Sequence, residues 1–237
     1  MPHISLGRRE FAPQPVPTLI AAPLFVLLLL LGNWQLNRAA EKHRLWDQFA
    51  RGDAAAIALP DTPPARYARV RVSGHYVPER QFLLDNMVHA GIAGYRVLTP
   101  LARDDGPPVL VDRGWVPLGQ SRSQLPDIGV GDGPRTITGR IDLTPRAGAT
   151  LRAPDSVAWP RVLNYPPMAV MERALGRPLY PQIILLDPSA ADGYVRDWHA
   201  PGFPPSRHLG YAATWFALAL ALLILYVSLS LVPRGAQ

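Results

Sequence analysis

Two long apolar stretches without a charged side chain, one near each end of the chain, constrain the fold more than any other feature. The first covers residues 17–36 and the second covers residues 209–232. About 20 apolar residues in a helix match the thickness of the hydrocarbon core of a bilayer, so both stretches predict transmembrane helices. The predicted division is an N-terminal tail at 1–16, transmembrane helix 1 at 17–37, an extramembrane domain at 38–207, transmembrane helix 2 at 208–232 and a C-terminal tail at 233–237.

The first stretch has one alternative interpretation, a cleaved signal peptide. It runs directly into the segment GNWQLNR at 32–38, which offers no small-x-small cleavage site. We therefore predict an anchor that stays attached. Trp34 lies where an interfacial aromatic residue is expected.

The two spans place both tails on the same side of the membrane, but the charges do not identify that side. The basic residues near the spans are Arg8, Arg9 and Arg234 on the side of the tails, and Arg38, Lys42, Arg44 and Arg207 on the side of the domain. This count does not support cytoplasmic tails by the positive-inside rule. A long domain translocates largely regardless of its charge, so the rule is a weak guide here.

The region between the spans alternates apolar and polar residues over short segments, which is typical of half-buried strands. A helix is predicted to continue from the first span to residue 50 and to end at Gly52. The predicted strands are 67–74, 81–85, 94–99, 108–116, 135–141 and 181–186, with one short helix at 165–175 and a connecting loop at 53–66. The fold class is therefore a membrane α+β protein, in which two transmembrane helices flank a mainly antiparallel, barrel-like extramembrane domain with one or two short helices.

Composition excludes several functions. The chain has no cysteine, which excludes disulfides, cysteine zinc sites and a cysteine nucleophile. Its formal charge of +6 is scattered and forms no basic stripe, so nucleic-acid binding is not predicted. It contains no GxSxG, phosphate-binding loop or HExxH signature, so we predict that it is not an enzyme.

His208 is the histidine with the most distinctive position, because it directly precedes the second span. At helical spacing it shares a face with Tyr211 and Trp215 and with small residues. Such a face could pack against a flat apolar macrocycle such as haem, with His208 as the axial ligand. Alternatively, His208 is an interfacial polar residue and the alanines of this face let the two spans pack together.

The end of the first span offers a matching feature. Gln35, Arg38 and Lys42 lie on one helical face, and Arg38 is one turn beyond Trp34. Two cations at the membrane surface could hold the propionates of a haem. The alternative is that these basic residues extend to the lipid interface, as is common near helix ends.

Five segments, in order along the chain, carry a resemblance to a known family. They are GNWQLNR at 32–38, GHY at 74–76, GIAGYRVLTPL at 91–101, VLVDRGWVP at 109–117 and HLGYAATWF at 208–216. Together they resemble the Surfeit locus 1 family of cytochrome oxidase assembly proteins over nearly the full length of the chain.

The resemblance implies an inner-membrane assembly factor for a haem-copper terminal oxidase, with a periplasmic central domain. It further implies that haem a is bound, with His208 as the ligand of the haem iron, and is passed to the catalytic subunit of the oxidase. The remaining expected binding residues are Tyr211, Trp215, Arg38, Trp34 and Gln35. The expected partners are that catalytic subunit, haem a synthase and the lipid bilayer.

Two other readings stay open at this point. The chain could be a scaffold or chaperone that holds an oxidase subunit without ligating haem, or a periplasmic enzyme tethered at both ends. Within the domain, Gly91, Gly94 and Gly114 are predicted at turns or close approaches. Tyr95 and Trp115 are expected to be structural or to contact the membrane, and the sequence does not decide whether Asp112 and Arg113 form a structural pair or part of a partner surface.

Overall fold

The computed structural model describes residues 4–6, 9–51, 55–119, 121–145, 158–200 and 202–233. It forms two compact units, a helical unit of Met1–Asp47 with Ala200–Gln237 and a domain of Gln48–His199. Their helices are α1 (Pro15–Arg51), α2 (Met168–Leu175) and α3 (Pro205–Ser230). Their strands are β1 (Ile4–Leu6), β2 (Arg9–Phe11), β3 (Ile57–Ala58), β4 (Arg69–Tyr76), β5 (Phe82–His89), β6 (Ile92–Arg103), β7 (Gly106–Pro117), β8 (Pro134–Asp142), β9 (Arg161–Leu163), β10 (Ile183–Leu186) and β11 (Leu231–Pro233).

Helix α1 contains the first apolar stretch and α3 contains the second except for its last two residues. Both helices are long and apolar enough to cross a membrane. Only 11% of the most apolar 18-residue window of each is buried within the protein, which is compatible with a membrane protein. The predicted continuation of the first helix is confirmed, because α1 extends to Arg51. Gly52, its expected stop signal, lies outside the described residues.

The helix α3 ends at Ser230, two residues before the end of the predicted span. Leu231–Pro233 instead forms β11, which pairs antiparallel with β2, and β2 also pairs with β1. The backbone N–H of Ala12 donates to the carbonyl of Ser230 at 2.8 Å and extends this contact. The pairing of β11 with β2 therefore takes the place of the end of the predicted helix. It joins segments that are more than 200 residues apart in sequence. Arg8 and Arg234, used in the charge count, lie outside the described residues.

The domain is a closed barrel with short additions. Its sheet has the order β3-β4-β8-β10-β7-β6-β5-β9, and β4 also pairs with β6. The second pairing closes the five strands β4, β8, β10, β7 and β6 into a ring, so the prediction of a mainly antiparallel, barrel-like domain is confirmed. Parallel pairs occur at β10–β7, β3–β4 and β5–β9.

The strand β10 explains how the barrel is packed. All four of its residues are buried, consistent with an apolar strand between two partners inside a closed sheet. Gly139 of β8 faces it at close range, since a Cβ there would meet the carbonyl oxygen of Leu185. A larger residue at this position would separate β8 from β10 and open the ring.

The structure differs from the predicted elements at several ends. Tyr67, the expected first residue of a strand, has a left-handed backbone with φ 68°, and β4 begins two residues later. The helix predicted at 165–175 begins at Met168, since two prolines precede it, and it ends as expected at Gly176, which has φ 69°. Within the domain two short strands were missed: β3 lies in the expected loop, and β9 has only three residues. The strands β1, β2 and β11 of the helical unit were not predicted either.

Candidate functional site

The buried and half-buried positions of α1 and α3 repeat every three or four residues, as in two helices that pack along one seam. On α1 they include Leu28, Gly32, Gln35 and Ala39, and on α3 they include His208, Ala212, Trp215 and Ala219. A Cβ on Gly32 would lie 2.7 Å from Cε1 and Cζ of Phe216. The Phe216 ring therefore packs directly on the backbone of α1, which requires glycine at this point.

One hydrogen bond joins the two helices at the end of the seam that contains the candidate ligand. Nδ1 of His208 lies 2.8 Å from Oε1 of Gln35, and both side chains are partly buried. An amide oxygen can only accept, so Nδ1 carries the proton and donates it. In the neutral ring this leaves the lone pair on Nε2, the arrangement in which histidine binds a metal while its other nitrogen is held by a neighbour.

A second hydrogen bond joins the helices at the opposite end of the seam. The hydroxyl groups of Thr18 and Tyr226 lie 2.7 Å apart, and the Phe11 ring meets the Tyr226 ring edge to face. Thr18 and Gln35 are separated by about 25 Å along α1 at 1.5 Å per residue. The two polar contacts thus bracket an apolar segment close to the ~30 Å hydrocarbon thickness of a bilayer.

Three of the predicted binding residues, Trp34, Arg38 and Tyr211, lie on one side of this helix pair, whereas Gln35, His208 and Trp215 lie in the seam. Both helices are right-handed and they run in opposite directions. The residue before Gln35 and the third residue after His208 therefore project towards the same side of the pair. Trp34 and Tyr211 therefore project from one side, and they are 56% and 50% exposed. Phe216, packed on Gly32, lies towards the other side, so Trp34 and Tyr211 are not covered by the contact that Phe216 makes.

The two predicted cations differ in their surroundings. Arg38 is exposed on the aromatic side and forms an ion pair with Glu41 at 2.6 Å. Lys42 is partly buried, and its Nζ lies 2.9 Å from the position that a Cβ on Gly202 would take. Arg38 can therefore turn from Glu41 towards a ligand at little cost, because an exposed ion pair of this kind is worth about 0.2–1 kcal/mol.

These residues fit a haem in their donor chemistry. His208 presents one imidazole nitrogen with a free lone pair, Gln35 fixes the other nitrogen, and aromatic side chains flank the open side. Among the described residues, no group of three or more His, Cys, Asp or Glu side chains is placed to hold a bare metal ion. A single imidazole nitrogen is also the kind of axial donor by which proteins hold a haem iron.

Two adjacent charged residues of β7, Asp112 and Arg113, serve the domain itself. Asp112 and Arg113 point to opposite faces of the strand, so they do not form a pair with each other. Asp112 is fully buried and forms its ion pair with Arg96, whose guanidinium also lies 4.8 Å from the centre of the Trp198 ring. Burial raises the pKa of the Asp112 carboxyl, and the charge of Arg96 opposes that shift.

Arg113 is the centre of a buried hydrogen-bond network. It donates to Oε1 of Gln81 at 3.1 Å, to the carbonyl of Ile128 at 3.0 Å and to the carbonyl of Asp192 at 2.7 Å. Only 3% of Arg113 is exposed. It therefore fastens two loops to the barrel, and the reading of Asp112 and Arg113 as a partner surface is wrong for the domain as it stands.

The glycine and tryptophan of the neighbouring motifs have a shared structural role. Trp115 of β7 lies across Gly94 of β6, and its Nε1 donates to the carbonyl of Met87 on β5 at 3.0 Å. A Cβ on Gly94 would lie 2.6 Å from that Nε1 atom. Trp115 thus ties three strands together, while Tyr95 is 1% exposed in the core. Tyr95 and Trp115 therefore have structural roles, which is one of the two roles that the sequence predicted for them.

Comparison with known proteins agrees with the sequence motifs. Residues 22–220 match the model of the SURF1 (Surfeit locus 1) family. The chain belongs to the SURF1 family. The match spans most of the described α1, the whole barrel and the first part of α3, so it includes both Gln35 and His208.

Several relatives of this SURF1-family protein cover different shares of it. A SURF1-like protein of Rickettsia bellii is 26% identical over 216 residues, which are 85% of this chain and 86% of the relative. An uncharacterized SURF1-like protein of Mycobacterium tuberculosis is 31% identical over 136 residues, which are 54% and 48% of the two chains. Cytochrome oxidase assembly protein SHY1 of Saccharomyces cerevisiae is 30% identical over 120 residues, which are 47% and 31%.

Proposed function

We propose that this SURF1-family protein is an inner-membrane assembly factor for a haem-copper terminal oxidase, and that it binds haem a through His208 and aids its insertion into the catalytic subunit. The assembly role follows the name of its yeast relative, a cytochrome oxidase assembly protein. The haem role rests on one observation, the hydrogen bond between His208 and Gln35.

That bond supports a ligand role because it sets both the tautomer and the orientation of the imidazole. A histidine that ligates a metal commonly donates its second ring N–H to an acceptor, which raises its basicity and fixes the ring. Gln35 supplies this acceptor from the opposite helix. The free nitrogen is then held in place before any ligand arrives, so little ordering entropy is lost on binding.

The surrounding residues suit an amphipathic, lipid-soluble cargo. Trp34 and Tyr211 offer apolar ring faces on the exposed side of the helix pair, and Arg38 offers a cation for a carboxylate. Trp215 lies half-buried two turns beyond His208. Haem a carries a long isoprenoid tail, and a site on the exterior of an apolar helix pair allows this tail to remain among lipids. When bound, the group brings its own iron, so the protein has to supply only the axial nitrogen and the walls.

A visible spectrum tests the haem role. The full chain would be purified in detergent from cells that make haem a, as the wild type, as His208→Ala and as His43→Ala. His43 is an exposed histidine of α1 that pairs with Asp47, so it is a matched control. We expect a haem a spectrum in the wild type and in His43→Ala, and its loss in a folded His208→Ala protein. Equal haem in all three proteins would contradict ligation by His208.

A scaffold role is the second candidate, and the same hydrogen bond is the observation that favours it. The Gln35–His208 and Thr18–Tyr226 contacts also fix the register of the two helices, which is a sufficient structural reason for both pairs. If no haem is found in the wild type and the His208→Ala strain still assembles active oxidase, the protein holds the catalytic subunit without carrying haem.

The orientation and the partners complete the proposal. We place the domain in the periplasm, the two tails in the cytoplasm, and the protein beside the catalytic subunit and haem a synthase. Alkaline phosphatase inserted after Gly133, an exposed loop glycine with open space around it, would be active in this orientation. An inactive insertion combined with an active fusion to the C-terminal tail would reverse the topology.

A further inference from the structure

Two guanidinium groups lie against one indole ring on the surface of the domain. The Cζ atoms of Arg80 and Arg161 are 5.2 Å and 5.1 Å from the centre of the Trp159 ring. Both cations therefore lie within about 10 Å of each other, near the Debye length of a physiological solution. We call Arg80, Trp159 and Arg161 the Arg–Trp–Arg surface.

The Arg–Trp–Arg surface has no counter-charge among the described residues. Neither Arg80 nor Arg161 has a carboxylate oxygen within 4 Å there, whereas Arg66, Arg122 and other arginines of the domain form ion pairs. Nε of Arg161 is buried and has no hydrogen-bond partner. Two like charges held beside one ring favour the approach of an anion, since its binding would offset their mutual repulsion.

The surface is held in a fixed geometry by the fold. The Trp159 ring meets the buried Phe82 ring edge to face, with centroids 5.2 Å apart. The backbone N–H of Arg161 donates to the carbonyl of Gln81 at 3.0 Å, and Arg80 closes the short 3-10 turn Pro78–Arg80. The parts are therefore placed before any partner binds.

The strand that carries Arg161 adds a second recognition element. In the described part of the chain, β9 pairs only with β5 and ends the sheet order. Its other edge presents backbone groups to which an extended segment could pair, a common mode of peptide recognition. Side chains two residues apart on such a segment would be about 7 Å apart and on one face, so two carboxylates could reach the two guanidiniums.

We infer that the Arg–Trp–Arg surface docks an extended, carboxylate-bearing segment of a partner protein, independently of any role of His208. Planar guanidinium groups match carboxylates in two-point hydrogen bonds. Arginine and tryptophan are also the residues most enriched at the energetic centres of protein interfaces. This composition favours a protein segment over a lipid headgroup, which would require neither the indole nor the strand edge.

The test is an NMR titration of the full chain in detergent with ¹⁵N-labelled tryptophan. The probe is a capped seven-residue peptide of alternating Asp and Thr, and the matched control peptide has Asn in place of Asp. The Trp159 indole signal is identified by its loss in Trp159→Phe. We expect the Asp peptide to shift this signal saturably and the Asn peptide to leave it in place.

Substitutions then assign the binding to the two cations. Arg80→Gln and Arg161→Gln should each weaken binding by about 1.5- to fivefold, the range for exposed ion pairs. Arg173→Gln removes an exposed arginine of α2 and should leave the affinity unchanged. Unaltered signals of the other five tryptophans show that each variant is folded.

Two results would overturn the inference. The first is no saturable shift with the Asp peptide, or an affinity that persists in the Arg80→Gln/Arg161→Gln protein. The second is a shift with phosphatidylglycerol vesicles but none with the peptide, which would make the surface a headgroup site. Neither result bears on haem binding, so the failure of this inference is distinguishable from failure of the proposed function.

Discussion

The helix pair and the barrel each hold a polar group at an interior position, but they hold it in different ways. Arg113 in the barrel is surrounded by acceptors that use its donors. His208 in the helix pair has one described hydrogen bond, to Gln35, and this bond uses one of its two ring nitrogens. The fully used group serves stability, whereas the half-used group retains bonding capacity for a ligand.

The largest expected effect is the loss of the buried network in the barrel. Arg113→Met keeps a long side chain but removes the donor to the carbonyls of Gly129 and Asp192. Oε1 of Gln81 and the carbonyl of Ile128 also lose Arg113, although each keeps one other donor. Each buried unsatisfied group costs about 1–3 kcal/mol, so we expect a loss of about 3–5 kcal/mol in the free energy of unfolding. Thermal unfolding of the full chain in detergent, followed by near-UV circular dichroism, measures it. A loss below about 1 kcal/mol would show that the network is not essential to the fold.

The next effect is a clash between strands of the same barrel. Gly94→Ala places a methyl group against the Trp115 ring and the carbonyl of Val116, so β6 and β7 must move apart. We expect a loss of about 2–3 kcal/mol, which is typical of overpacking a rigid core. Gly133→Ala is the control, because nothing lies within 4 Å of its added Cβ. Equal stability of the two variants would mean that Trp115 moves aside freely.

A smaller loss of stability is expected when a closely packed glycine of the helix pair is replaced by a larger residue. Gly32→Leu drives a side chain into the Phe216 ring, but two helices in lipid can separate without exposing a core to water. The chain has no cysteine, so nitroxides introduced at the exposed positions Leu30 and Leu220 would report the distance between the helices. We expect a longer distance in Gly32→Leu and no change in Gly210→Leu, which has open space. If neither variant changed the distance, Gly32 would not lie at the contact between the two helices.

Removal of the helix-pair hydrogen bond should affect stability little and ligand binding clearly. Gln35→Leu should lower the free energy of unfolding by about 0.6 kcal/mol, the average for hydrogen bonds between membrane helices. The His208 ring would then lose its fixed orientation, so we expect about 10-fold weaker haem binding with only a small change in unfolding. Haem titration and thermal unfolding of the same preparations measure the two effects. Unchanged haem affinity would leave Gln35 with a structural role only.

The smallest effect at neutral pH is expected for a tyrosine beside the barrel network. The Tyr76 hydroxyl is buried without a hydrogen bond, and burial raises its pKa to about 12, partly offset by Arg113. The folded state keeps this proton after the unfolded state has lost it, so Tyr76 costs stability as the pH rises from about 10 to about 12. Tyr76→Phe should leave stability nearly unchanged at pH 7 and remove part of the alkaline loss. Equal alkaline unfolding of both proteins would contradict this.

The same difference between regions explains what the sequence could predict. The helices and the longer strands follow from periodicity, which is a local property, and the prediction of a barrel-like domain follows from many short strands. The β2–β11 pairing was missed because it joins residues at opposite ends of the chain and has no local signal. The short strand β9 was missed because three residues are too few to show a period.

The candidate site was predictable only in part. The helical face of His208 and the position of Gln35 were predicted from spacing, but the bond between them depends on the register of two helices separated by the whole domain. The Thr18–Tyr226 contact was not predicted, although each is a polar residue within an apolar run. The partner of Asp112 was also missed, since Arg96 lies on another strand across a bulge.

The position of β10 in the barrel has a consequence for biosynthesis. This strand lies between β7 and β8, and it is the last strand of the domain to be synthesised, shortly before α3. Until residues 183–186 have been synthesised, the edges of β7 and β8 that β10 covers have no partner, and the ring cannot close. Because such non-local pairing is slow, the domain completes its folding only at about the time that α3 is being synthesised, or later. A pause in translation between β10 and α3 would therefore raise the yield of folded protein, and faster translation there would favour aggregation through the open strand edges.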